Sequence, residues 1–286
     1  LKDDGLFTVI PMGLGLGLVG VSTYAHDIGG YQSAIDPPAT KELFFRWTSL
    51  GALSPVMRTH HGTKPALQWW FGKDEETIAH YGRWARLHVR LFPYLDGSSL
   101  VAETTTTPIF RALALEFPDD PLAWTIPDQY LLGPSILVAP VVDAGAPSRR
   151  VHFPKGSWLP LFGGAPVAGP SDADVAAPLT ALPAFVRAGS VLPLLAPEID
   201  TLLPAAPPVV DLAAVQARRT LWWFTGGAGA FSARGGARYE SSGAAIVAAG
   251  PASFREGTQS LTACASEGER GCVESVARLQ GAGPLE

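Results

Sequence analysis

The sequence predicts two regimes, an α/β part followed by an all-β part. Three observations carry this. Up to about residue 107, helix-period runs alternate with short apolar runs that end in polar clusters. After Pro108, helical periodicity gives way to short strand-like runs between turns. The 31 glycines and 26 prolines supply more turns than a helical bundle would use.

Composition narrows the function classes. With 286 residues the chain is long enough for two or three modest units. Hydrophobic residues make up 47% and charged residues 16%, the balance of a folded chain. The net charge of −5 and the lack of a basic run argue against a nucleic-acid partner. The most apolar stretch, Val9 to Val21, contains Pro11 and four glycines and is too short to span a bilayer. No signal-peptide pattern is present. Cys264 and Cys272 enclose ASEGERG, and two free thiols or a local disulfide are both open readings. A cytoplasmic and an extracytoplasmic location therefore both stay open. No metal site is expected at the pair, because no His or further Cys lies nearby, and no cofactor is implied.

In chain order, Gly15 to Gly20 formally matches G-x-G-x-x-G, but no strand precedes it. The alternating leucines read better as a packed helix and its turn. A strand is expected over Val19 to Ala25, delivering His26 and Asp27 to its C-terminal end. Gly29 and Gly30 allow a sharp bend there. A helix is expected over Pro37 to Ser49, with Thr40 as N-cap and Leu43, Phe44, Trp47 and Leu50 on one face. The next strand, Leu50 to Met57, runs into Arg58, Thr59, His60 and His61. Arg58 and His60 point to the same side of an extended chain. Trp69, Trp70 and Phe71 read either as packing under a loop or as an exposed stacking platform.

Lys73 to Phe92 is the clearest helix, capped by Asp74, with an expected buried stripe of Ile78, Tyr81, Ala85, His88 and Leu91. Arg83, Arg86 and Arg90 read as a solvated face. Ser98 to Thr107 continues as helix and then breaks. Strands are expected at Phe110 to Phe117, Ser135 to Val142, Val151 to Phe153, Trp158 to Phe162, Phe185 to Arg187 and Val191 to Leu195. Lys155-Gly156 reads as a hairpin turn. Ala196 to Pro208 reads as a linker, and later strands are expected at Thr220 to Thr225, Ala230 to Ala233 and Ala244 to Ala248. Trp222 and Trp223 fall on opposite faces of their strand, so one belongs to a core.

Four blocks carry a family resemblance. HDIGGY (His26 to Tyr31), RWTSLGALSPVMRTHH (Arg46 to His61), DQYLLGPSILVAPV (Asp128 to Val141) and LPAFVRAGSVLP (Leu182 to Pro193) resemble, in order, the C-terminal part of glycoside hydrolase family 31. That family comprises retaining α-glycosidases. The resemblance implies the C-terminal part of a (β/α)8 TIM barrel followed by one or two β-sandwich domains. The expected division is 1–107 for the barrel strands and helices, 108–200 for a proximal β-sandwich and 208–286 for a small distal β domain. It also implies an α-glycoside substrate, bound by Asp27, which accepts from sugar hydroxyls, and by Arg58 and His60. In the family the residue after that His is often Asn or Glu; here it is His61, to which no role is assigned.

Retaining hydrolysis needs two carboxylates close together. The family's nucleophile motif resembles W-x-D-M-x-E, and no such segment occurs in these 286 residues. By the same resemblance the acid/base aspartate falls upstream of Leu1, and Asp3 and Asp4 read as a helix start instead. No catalytic residue is therefore assigned. The chain alone is expected to be inactive, and a missing N-terminal part of the barrel is an expected partner. A non-catalytic carbohydrate-binding remnant is the alternative. Tyr31 replaces a common phenylalanine. D-I-G-G-Y, K-E-L-x-x-R-W and P-V-M-R-T-H resemble the sulfoquinovosidase branch, where this tyrosine helps to bind the sulfonate. A general α-glucosidase reading stays open beside it.

Overall fold

The computed structural model describes residues 1, 5–31, 38–60, 62, 66–215, 219–234, 236–242, 246–249, 258–264, 273–278 and 284–285. The pairing of Cys264 with Cys272 lies outside the described residues, as do Asp3, Asp4 and His61. The elements are α1 (Leu6–Leu18), β1 (Ala25–Asp27), α2 (Lys41–Ala52), β2 (Val56–Arg58), α3 (Glu75–Arg90), α4 (Phe92–Thr105), β3 (Phe110–Arg111), β4 (Tyr130–Leu132) and β5 (Ile136–Val138). They continue as β6 (Ser148–Pro160), β7 (Val167–Ala176), β8 (Ala184–Arg187), β9 (Val191–Leu194), α5 (Leu212–Val215), β10 (Arg219–Phe224), β11 (Gly229–Ser232), β12 (Arg238–Ser241) and β13 (Ile246–Ala249). β14 (Thr258–Cys264), β15 (Val273–Arg278) and β16 (Pro284–Leu285) complete the order. The chain forms two units, one of residues 1–88, 105–155 and 170–184, the other of 89–104, 156–169 and 185–286. A mixed α/β, TIM-barrel-like region and antiparallel β-sheets are both present, the fold class read from the sequence. Among the described residues, no helix is long and apolar enough to cross a membrane.

In the first unit, α1 absorbs the glycine-rich stretch. A Cβ at Gly13 would lie 2.6 Å from the Tyr24 ring, and one at Gly17 would lie 3.1 Å from the Phe110 carbonyl oxygen. Those glycines let the helix approach its neighbours closely, which is a packing role rather than a phosphate-binding one. The two barrel strands are shorter and later than the apolar runs suggest. β1 starts only at Ala25, and the run at 50–52 remains helical because Leu50, Ala52 and Leu53 are all fully buried at the end of α2. Thr40 caps α2 as expected, its Oγ1 accepting from Leu43 N at 3.2 Å.

The buried face of α3 is Thr77, His80, Trp84 and Leu87 rather than the stripe through Ile78, which is 56% exposed. Two polar members disguised it. Thr77 N and Oγ1 both bond to Asp74 Oδ1, which caps the helix. His80 stacks on Phe45 at 4.0 Å and donates from Nε2 to Phe45 O at 3.1 Å. Burial lowers its pKa to about 4, so it stays neutral. His88 is a structural histidine against Ala52 O, 3.0 Å away. Arg83 is not simply solvated, since it donates to Thr180 O.

Further on, β3 is two residues long and is followed by a 3-10 turn at Leu113–Leu115. β3, β4 and β5 pair antiparallel in sequence order. The expected hairpin at Lys155-Gly156 does not form. β6 runs straight through it as one strand, with Gly156 at φ 136°. The sequence reading also omits β7, whose Gly, Pro and Asp residues hide an alternating strand. One interaction of this unit titrates. His152, buried on β6, is held between Asp172 on β7 (Nδ1 to Oδ1, 2.7 Å) and Asp120 at the cap of a 3-10 turn (Nε2 to Oδ2, 2.8 Å). Carboxylates only accept, so both ring nitrogens must carry protons, and the ring is an imidazolium.

Burial opposes that charge, but the bonds to Asp120 and Asp172 outweigh it and leave the His152 pKa above its ordinary 6.5. Arg150, on the same strand, also pairs with Asp172. A raised folded-state pKa gives stability that is complete below about pH 6.5 and lost as pH rises through the raised value. Asp120 and Asp172 are both held low, by burial opposed and outweighed by His152 for the first and chiefly by the His152 bond for the second. Their share is complete above the ordinary carboxylate pKa and lost in acid. Urea denaturation is expected to show the wild type losing stability between pH 6 and pH 9 relative to His152→Gln. Parallel profiles for the two proteins would refute the imidazolium bridge.

In the second unit, β10 lies between β9, antiparallel, and β14, parallel, and β15 pairs with β14. β11, β12, β13 and β16 form an antiparallel sheet in that order. Trp223 is the core tryptophan, donating from Nε1 to Ser241 Oγ at 2.8 Å, while Trp222 sits under the Arg90 guanidinium. Residues 196–208 are not a bare linker. Leu195, Ala196, Ile199 and Val215 form a buried cluster, with Leu202 and Val210 packed on it.

Candidate active site

β1 and β2 run parallel, and their register pairs Asp27 with Arg58 at the C-terminal ends of both strands. Strand alternation turns His26 inward and Asp27 the other way. His26 is 7% exposed and fixed at both nitrogens. Trp47 Nε1 donates to its Nδ1 at 2.8 Å, so Nε2 carries the proton and bonds Ser54 Oγ at 3.1 Å. Burial lowers its pKa to about 4, and the ring stays neutral. His26 therefore ties β1 to α2 and sets where Asp27 emerges.

At the strand ends the side chains converge. Arg58 Nε lies 2.6 Å from Asp27 Oδ1, and Arg58 Nη2 donates to His60 Nδ1 at 3.0 Å. That bond places the His60 proton on Nε2, which points away from the guanidinium. The His60 ring lies 4.8 Å from the Tyr31 ring, tilted by 54°. The backbone links the two loops as well, through Ile28 N to Arg58 O at 3.0 Å and Gly62 N to Tyr31 O at 2.8 Å. Gly29 and Gly30 take φ of 84° and 82°, and Gly30 N closes the turn on Asp27 O at 2.9 Å. The four residues singled out in the sequence thus stand together. Asp27 is 20% exposed, Arg58 47% and Tyr31 42%.

The arrangement presents a carboxylate, a guanidinium, an imidazole and a phenol along one open edge. A carboxylate held by one guanidinium keeps lone pairs free for two neighbouring hydroxyls, and the guanidinium keeps further N–H donors. Such a set recognises vicinal hydroxyls or an anionic substituent. Among the described residues, no group of three His, Cys, Asp or Glu is placed to hold a metal ion.

The sequence reading placed Arg46 in a family block and Tyr81 on the α3 stripe, but not the supporting role of either. Arg46, 4% exposed on α2, donates from Nη1 to Ala177 O and Pro178 O at 2.9 and 3.0 Å and from Nη2 to Ala146 O at 2.9 Å. Tyr81 of α3 stands beside Thr59, between Arg58 and His60. Neither had a local signal, because each acts on residues distant in the chain.

Comparison with known proteins supplies a frame. Residues 2–96 match the TIM-barrel domain of glycosyl hydrolases family 31, and residues 106–192 match the family's C-terminal domain. The sulfoquinovosidase of Escherichia coli strain K12 is 38% identical over 188 residues, covering 66% of this chain and 28% of that protein. The sulfoquinovosidase of Agrobacterium fabrum is 40% identical over 190 residues, covering 66% and 29%. The chain thus spans less than a third of the curated relatives it matches. A solved dextranase from Flavobacterium johnsoniae, complexed with glucose, superposes with a TM-score of 0.72 at 28% identity, covering 92% of this chain and 34% of that one.

Proposed function

The chain belongs to glycoside hydrolase family 31, and from that premise we propose that it supplies the sugar-recognition edge of a site that cleaves α-glycosides with retention. The observation that carries this reading is the Asp27–Arg58 pair at the C-terminal ends of two adjacent parallel strands, with His60 and Tyr31 beside it. In barrels, substrate chemistry belongs at that end. Asp27 accepts from hydroxyls of the ring next to the scissile bond, and Arg58 and His60 donate to it. Turnover requires two carboxylates, roles that these residues are not assigned. Retention needs a nucleophile and an acid/base carboxylate about 5 Å apart, and the nucleophile motif is not among these 286 residues. Further barrel strands beside β1 and β2, the N-terminal part of such a barrel, are proposed to supply that pair. The 286-residue chain by itself binds α-glycosides and does not hydrolyse them.

The test pairs calorimetric binding of a methyl α-glycoside with release of nitrophenol from aryl α-glycosides. Binding without turnover is expected. Turnover abolished by Asp3→Asn or Asp4→Asn would refute the reading. For the substrate branch we favour a 6-sulfonated glucoside, because the Tyr31 ring packs 4.8 Å from the His60 ring, and the two sulfoquinovosidases are the relatives at 38% and 40% identity. A neutral α-glucoside is the second reading, supported by the glucose-bound dextranase likeness. Tyr31→Phe is expected to weaken the sulfonated glycoside by about tenfold relative to the neutral one, the value of one hydrogen bond to a charged group. An unchanged ratio would remove the sulfonate role.

A further inference from the structure

We propose that Gly62 is a positioning residue that sets specificity at the candidate site. By carrying no side chain it lets the Tyr31 ring stand against His60, and the ring so placed separates a sulfonated sugar from a neutral one. The inference rests on the sugar-recognition reading above and adds to it a residue that acts only through Tyr31.

The space at Gly62 is filled by one neighbour. A Cβ there would lie 2.3 Å from Tyr31 Cζ, 2.6 Å from its hydroxyl oxygen and 2.7 Å from Cε1. Non-bonded carbons settle about 3.5 Å apart or more, so any side chain at this position would push the ring back by roughly 1 Å. The backbone does not itself ask for glycine. Gly29 and Gly30 sit in the left-handed region and Gly62 does not, so what glycine supplies here is room rather than conformational freedom. Gly62 N donates to Tyr31 O at 2.8 Å, and that main-chain bond holds the two residues at this spacing.

The ring that would be displaced is the one that meets the rest of the site. Tyr31 lies 4.8 Å from the His60 ring, His60 Nδ1 accepts from Arg58 Nη2 at 3.0 Å, and Arg58 Nε lies 2.6 Å from Asp27 Oδ1. Gly62, Tyr31, His60, Arg58 and Asp27 thus form one continuous chain of contacts. Tyr31 is 42% exposed, so the ring stays open to a ligand. Pushing it back costs the fold little, because the phenol is the far end of a side chain with two rotatable bonds. It costs the direction of the hydroxyl, on which a hydrogen bond to an anionic substituent depends. Specificity and stability therefore separate at this position.

Calorimetric titration of the full chain with methyl α-glucoside and with its 6-deoxy-6-sulfo counterpart tests the role, read as the ratio of the two affinities. Gly62→Ala is expected to lower the preference for the sulfonated ligand about tenfold, as Tyr31→Phe does. In a Tyr31→Ala background no ring is left to displace, and Gly62→Ala is expected to change the ratio no further. If Gly62→Ala lowers the melting temperature, the same Tyr31→Ala background is expected to restore it. A ratio unchanged in Gly62→Ala while Tyr31→Phe lowers it, or a fall of equal size in the Tyr31→Ala background, would overturn the role of Gly62 alone. A ratio that Tyr31→Phe leaves unchanged would overturn the sulfonate reading and this role together. A wild-type chain that binds neither ligand would overturn the recognition reading as well.

Discussion

Replacing Arg46 with methionine is expected to destabilise the first unit by about 3 kcal/mol or more, and to lower its melting temperature by roughly 10 °C. The guanidinium is 4% exposed and gathers the backbone carbonyls of Ala146, Ala177 and Pro178 at 2.9 to 3.0 Å, with Ala181 O at 3.4 Å. Burial pulls its pKa down, opposed by Glu42, whose carboxylate lies 3.8 Å from Nε. Methionine preserves most of the stem's volume but supplies no donor. It leaves several buried carbonyl oxygens without their partner, each costing about 1–3 kcal/mol. Thermal unfolding followed by circular dichroism measures the effect. A melting temperature within about 2 °C of the wild type would show that the carbonyls find other donors, and the anchoring role would fail.

That prediction marks the limit of what the sequence discloses. Arg46 stands in a helical run between Phe45 and Trp47, and its carbonyl partners are 100 to 135 residues away. Nothing local distinguishes it from a surface arginine on an amphipathic helix. His152 is hidden for the same reason, since Asp120 and Asp172 are 32 and 20 residues away. The candidate site is legible because its signals are local. Asp27 sits at the end of an apolar run before two glycines, and Arg58 and His60 end the next one.

Where the local signal misleads, tertiary contacts decide. Leu50 and Ala52 have apolar side chains that suit a strand as well as a helix, and burial at the end of α2 makes them helical. The stripe of α3 is shifted because Thr77 and His80 are buried through hydrogen bonds rather than through hydrophobicity. Lys155-Gly156 has turn chemistry, yet β6 continues through it. A turn-compatible pair permits a reversal and does not impose one.

Asp27→Asn carries the largest expected effect on function, a loss of about 100-fold in α-glycoside affinity with little change in stability. The two consequences separate because of exposure. Arg58 is 47% exposed and Asp27 20% exposed, and an ion pair open to water contributes only about 0–1 kcal/mol to folding. The backbone pairing of β1 with β2 through Ala25–Val56 and His26–Met57 is untouched by the change, as is the buried His26–Trp47 bond. Recognition is another matter. Asparagine keeps one acceptor oxygen but turns the other position into a donor, and it removes the charge that holds Arg58 Nε at 2.6 Å. A sugar hydroxyl then meets a donor where it needs an acceptor, while the freed guanidinium loses its orientation. Two charge-assisted hydrogen bonds at about 1.5 kcal/mol each amount to about 100-fold. Arg58→Ala is expected to give a loss of similar size, and the double variant no more than either, because the pair works as one unit. Calorimetry on the three variants, with circular dichroism to confirm the fold, decides it. Losses that simply add would mean Asp27 and Arg58 touch the ligand independently, and affinity within threefold of the wild type in Asp27→Asn would remove this carboxylate from sugar recognition.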